Sequence, residues 1–131
     1  MSDKRRYQRE RIDVSANFYI VGGELGKIEF SGLIVNISEV GILIEVDEPR
    51  FIEVARTTEV GSEIRFIGID EYEIFKEQRT RYIEGTAKVV RTDEKDGIYT
   101  MGCELKNLSR ELEQYISDRK VIGFQNRGCR L

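Results

Sequence analysis

Apolar residues recur at every second position over most of this chain, and the period changes only near its end. Ile12, Val14, Ala16, Phe18 and Ile20 alternate with polar or small residues, the pattern of a strand with one buried face. Gly22, Gly23 and Gly26 mark a turn behind it. IEFSGLIVNI, residues 28–37, predicts a second strand that becomes apolar on both faces toward its end. Ile42, Ile44 and Val46 open a third, stopped by DEPR. The long connection from Pro49 to Gly61 has room for a helical turn around FIEVA. Ile64 to Ile69 predicts a fourth strand and Tyr82 to Val90 a fifth, and DEKDG at 93–97 reads as a hairpin loop. Tyr99, Met101, Cys103 and Leu105 share the inward face of a sixth.

From Ser109, a good N-cap, the spacing becomes helical: Leu112, Ile116 and Lys120 fall at i, i+4 and i+8, with Tyr115 and Arg119 beside them. Gly123 is the expected stop, and FQNRGCRL is a basic tail. Six sequential strands without helix alternation predict a mainly β fold: a six-stranded antiparallel β-barrel, closed to remove exposed edges, with a C-terminal α-helix over its end. The chain divides as a basic arm (1–11), a barrel (12–106), a helix (107–123) and a tail (124–131) of one domain.

Composition narrows the chemistry. The 131 residues include no His and no Trp, which removes the usual Ser-His-Asp and Cys-His machinery and the commonest zinc ligand. Cys103 and Cys129 build neither a disulfide framework nor a zinc site by themselves; Cys103 reads as a small core residue and Cys129 as an exposed one. The carboxylates of EYE, DEK and ELE have no second catalytic group at a fixed spacing and read as solvated faces. Tyr72, Phe75 and Tyr82 flank a charged segment that is expected to form an extended hairpin with its aromatics tucked inward, in preference to a partner-binding patch. No apolar run reaches the roughly 20 residues of a membrane-spanning helix. MSDKRRYQRER has no apolar segment behind its charges, so a cytoplasmic, reduced protein is expected.

Charge is unevenly distributed. Five basic against two acidic side chains give residues 1–11 a charge of +3, so the net −3 leaves −6 on the other 120. A basic arm on an acidic body points to a local anionic partner rather than to a surface coated for DNA or membrane, unless the arm is simply a solvated tail.

Two stretches stand apart from the strand pattern. Arg5 and Arg9 enclose RYQ just before the first strand, and NISEVG, residues 36–41, follows the second. An antiparallel pair joined by the glycine-rich turn brings the start of one strand to the end of the other, and hence the two stretches to one end of the barrel. Arginine forks match phosphate oxygens and the O6/N7 edge of guanine, while Asn36 and Ser38 supply short polar groups and Gly41 lets chain or ligand come close. A ligand rich in guanine and phosphate satisfies them all.

In order and separation, Arg5-x-x-x-Arg9 and Asn36-x-Ser38-x-x-Gly41 resemble the RxxxR and (D/N)xSxxG signature of PilZ domains, bacterial receptors for cyclic di-GMP. GTAKVVR (85–91), GIYTMGCEL and the closing helix also fall where that family places them. The resemblance implies a non-catalytic receptor in which Arg5 and Arg9 clasp guanine edges and phosphates, Arg6 adds charge or stacks on a base, Asn36 and Ser38 hydrogen-bond the ligand, and Gly41 shapes the turn. Lys4 is an accessory cation that could favour a stacked ligand pair. No metal and no cofactor besides the ligand is implied, and output would pass to a downstream protein. Asn36 stands where the family more often has Asp, and the connections at 49–61 and 70–82 look longer than the family's minimum. The alternatives are a ligand-free relative that only binds proteins and a small nucleic-acid-binding barrel, the latter disfavoured by the acidic body.

Overall fold

The computed structural model describes residues 11–21 and 28–128, with side chains to residue 123. Six strands form: β1 (Val14–Ile20), β2 (Ile28–Ile37), β3 (Gly41–Val46), β4 (Glu63–Ile74), β5 (Glu77–Lys95) and β6 (Ile98–Lys106). All their pairings are antiparallel, in the order β1-β2-β3-β6-β5-β4, and β4 pairs back onto β1, so the sheet closes in a ring. Helix α1 (Pro49–Ala55) packs against β2, β3 and β6, and helix α2 (Arg110–Gly128) against β4 and β5.

The alternation works as expected where it is regular. Phe30, Phe18 and Phe66 occupy one cross-strand row over β2, β1 and β4, all fully buried, with the first two rings stacked at 5.2 Å. The next position in that row is Gly85, where an added Cβ would lie 2.8 Å from the Phe66 ring and 3.3 Å from Leu112. The missing side chain lets a helix residue and a barrel aromatic meet. Leu112, Tyr115 and Ile116 bury the inner face of α2, and the Ser109 hydroxyl accepts from the Leu112 N–H at 3.0 Å, capping the helix as its sequence suggests.

Four expectations need correction. The segment at 70–82 is the extended hairpin expected, but the strands do not stop at Ile69 and restart at Tyr82: β4 and β5 continue through it as a ribbon joined by a two-residue turn at Phe75 and Lys76. Of its three aromatics only Tyr72 turns inward; Phe75 at the tip and Tyr82 on the outer face are 65% and 71% exposed. DEKDG is likewise mostly strand, with Asp96 and Gly97 forming the turn at positive φ. Gly123 does not end α2, which runs on to Gly128; a helical glycine costs about 1 kcal/mol and by itself is no stop.

The ribbon is held by polar contacts that the sequence pattern hid. Asp118 of α2 accepts from the Tyr72 hydroxyl at 2.6 Å and from Gln114 at 3.1 Å, while Arg81 donates to Tyr72 at 3.3 Å. Tyr115 donates to Asp70 at 2.7 Å, its ring edge-on to Tyr72 at 5.8 Å. Burial is the main cause that pushes both tyrosine hydroxyls above their ordinary pKa, and each acidic partner adds to it. The extension is a platform for α2.

Candidate functional site

Of the residues singled out for ligand contact, Asn36, Ser38 and Gly41 are described; Lys4, Arg5, Arg6 and Arg9 lie outside the described residues, as does Cys129. The described chain begins beside the NISEVG turn, as antiparallel pairing requires. Val14 pairs with Ile34, and the Ile12 N–H donates to the Val35 carbonyl at 3.0 Å, one residue from Asn36. Arg11 forks onto Glu45 of β3 at 3.0 and 3.2 Å and also bonds Asp13 at 3.0 Å, fixing the root of the arm on the outside of the sheet.

A β-bulge at Val35 decides where Asn36 points. Ile34 faces buried Ile44 before the register shift, and Ile37 faces buried Ile42 after it. The extra residue reverses the alternation, so Asn36 comes to the outer face rather than the core. A second bulge, at Val90, does the same on β5. Val89 faces buried Cys103, and after the shift Thr92 faces buried Met101, which leaves Arg91 outward opposite Gly102.

Both bulges serve one row. Asn36 pairs with Leu43, Leu43 with Gly102, and Gly102 with Arg91, so an amide and a guanidinium face outward at its two ends. Gly102 forms the floor beneath Arg91: a Cβ there would lie 2.9 Å from Nε of that side chain. The same cation opposes burial at Cys103, but burial wins and the thiol is pushed up to about 12. Cys103 is therefore the inert core residue its position suggests. Arg91 was not singled out as a contact from the sequence, because uninterrupted alternation from Ala87 and Val89 points it inward. A bulge leaves little trace in composition.

The turn itself is closed by its own groups. Ser38 N–H donates to the Gly41 carbonyl at 2.9 Å, and Ser38 Oγ accepts from the Val40 and Gly41 N–H groups, both at 3.3 Å. Those contacts use the hydroxyl oxygen as acceptor and leave its proton to offer outward. The Val40 carbonyl accepts from Leu105 N–H at 2.9 Å, tying the turn to β6. Gly41 is required for close approach rather than for a positive φ: an added Cβ would stand 2.5 Å from the Cys103 carbonyl oxygen. Glu39, between Ser38 and Val40, pairs with Lys120 of α2, which holds its carboxyl below the ordinary range.

Among the described residues, no group of three or more His, Cys, Asp or Glu side chains could hold a metal ion, and no helix is long and apolar enough to cross a membrane. Together, the closed antiparallel sheet, the packed C-terminal helix and the polar turn beside the first strand define a small β domain with a polar outer edge. The PilZ domain model matches residues 3–119, and the chain belongs to that family. No curated protein matches it. Among solved structures, the Bacillus subtilis inhibitor of motility MotI/DgrA is similar with a TM-score of 0.57 and 24% identity, over 92% of this chain and 52% of that one. PlzA of Borreliella burgdorferi, in complex with c-di-GMP, is similar with a TM-score of 0.55 and 11% identity, over 95% of this chain and 53% of that one. These are likenesses of fold, and the chain spans about half the length of either protein.

Proposed function

We propose that this protein is a non-catalytic receptor for cyclic di-GMP, which seats on the outer face beside Asn36 and Ser38 and is clasped by Arg5 and Arg9. The observation that carries the reading is the bulged outward placement of Asn36 next to the root of the basic arm. Family membership and the c-di-GMP complex of PlzA support the choice of ligand. Arg91 adds a cation at the far end of the Asn36 row, and Arg6 and Lys4 add charge within the arm. The arm orders on binding, and a downstream protein reads the change. Ordering about seven residues costs on the order of 7–14 kcal/mol, so several charge-assisted bonds form together.

Titration calorimetry with cyclic di-GMP, with GTP and a short single-stranded oligonucleotide as controls, tests the proposal. Binding of the cyclic dinucleotide alone is expected. Arg5→Ala or Arg9→Ala should each weaken it by roughly 1.5–3 kcal/mol. Parent-like binding by both variants, or preference for the oligonucleotide, would sink the reading.

A further inference from the structure

The turn itself carries one charge of the wrong sign. Between Asn36 and Gly41 stand Ile37, Ser38, Glu39 and Val40, and Glu39 is the only ionisable side chain among them. A carboxylate beside a bound phosphodiester opposes binding unless something neutralises or removes it. In this fold the neutralising group comes from 81 positions away, at Lys120 of α2.

Lys120 occupies the place where the buried stripe of Leu112 and Ile116 would continue by one more turn. Instead of a third apolar side chain, the stripe ends in an exposed amine that reaches over the sheet to the NISEVG turn. Both members of the pair are more than half exposed, so their attraction adds little to the stability of the fold. An exchange of partner is correspondingly cheap. The ammonium is a compact charge with three donors on a four-carbon stem, able to move from a carboxylate to a phosphate oxygen without a shift of the helix backbone.

We propose that Lys120 is a further ligand-binding residue: it leaves Glu39 for a phosphate oxygen of the bound dinucleotide, while Glu39 acts as a tethered competitor for the same amine. The inference rests on the reading of the turn as the ligand site. It adds a contact from α2, so that the helix as well as the arm senses the ligand.

The experiment is a calorimetric titration of cyclic di-GMP into the full chain and into Glu39→Gln, Lys120→Ala and Lys120→Arg. Glu39→Gln is expected to tighten binding and Lys120→Ala to weaken it, each by about five- to tenfold, with Lys120→Arg close to the parent. A pair that merely braces the turn gives shifts of the same sign for Glu39→Gln and Lys120→Ala, because both break the same contact. That result, or parent-like binding by both, overturns the proposal while the receptor reading stands. No binding by the parent overturns the receptor reading, and this inference with it. Unchanged thermal midpoints of the variants exclude misfolding as the source of any difference.

Discussion

Two of the hairpin connections, at NISEVG and at Phe75–Lys76, hold their polar side chains at different depths. At the β4–β5 tip the backbone is strained, with Phe75 at φ 52° and Lys76 at φ 64°, a conformation that favours Asn and Gly. The ribbon beneath it consumes its polar groups internally, Tyr72 on Asp118 and Tyr115 on Asp70. At NISEVG no residue adopts a positive φ, the turn is tied down by Leu105, and its Asn36, Ser38 and Glu39 lie where solvent or a ligand can meet them. Buried polar groups that satisfy one another hold structure together. Outward polar groups on a braced turn are what a binding site needs.

The largest effect is expected in the ribbon. Tyr115→Ala removes a fully buried ring and the bond to Asp70, and should cost about 3–5 kcal/mol in urea unfolding. A loss below about 1 kcal/mol would mean that α2 does not hold the ribbon. Gly41→Ala comes next. Its methyl would meet a backbone oxygen, so destabilisation of roughly 1–3 kcal/mol is expected, together with weaker ligand binding as the turn lifts from β6. If Ala is accepted without cost, the brace on the turn is not tight.

The opposite sign is expected at the tip. Replacing Phe75 and Lys76 by Asn and Gly relieves two left-handed residues, and Phe75 is too exposed to lose much burial. Stability should rise by roughly 1–2 kcal/mol with ligand affinity unchanged; an altered affinity would join the two regions that we separate. The last effect is confined to alkaline pH. The Cys103 thiol is raised from 9.0 to about 12 by burial, so its contribution is complete below the unfolded value and is lost as pH rises from there toward 12. Urea midpoints should fall over that window, less steeply in Cys103→Ala, and equal slopes would show that the thiol is not buried in solution.

The regular alternation of Ile12 to Ile20, of Ile42 to Val46 and of Tyr99 to Leu105 made most of the ring readable, because one face of each strand is core. What escaped follows from departures from that period. The outer face of the β4–β5 ribbon carries Ile67, Ile69 and Tyr82, while charged and polar residues fill 76–81, so the hairpin was legible but the length of its strands was not. The bulges at Val35 and Val90 change facing without changing composition, so the row joining Asn36 to Arg91 was invisible, though Asn36 itself was found from its spacing to Ser38 and Gly41. Nothing in the helical spacing sets Asp118 apart from a solvated carboxylate; only its place against Tyr72 does.

The most direct test of the central claim is backbone amide NMR of the full chain during titration with cyclic di-GMP. Shifts that saturate with ligand are expected at residues 36–41 and at Arg11 and Ile12, with residues 72–79 unmoved. Saturating shifts centred on the ribbon, or none anywhere at millimolar ligand, would contradict the account.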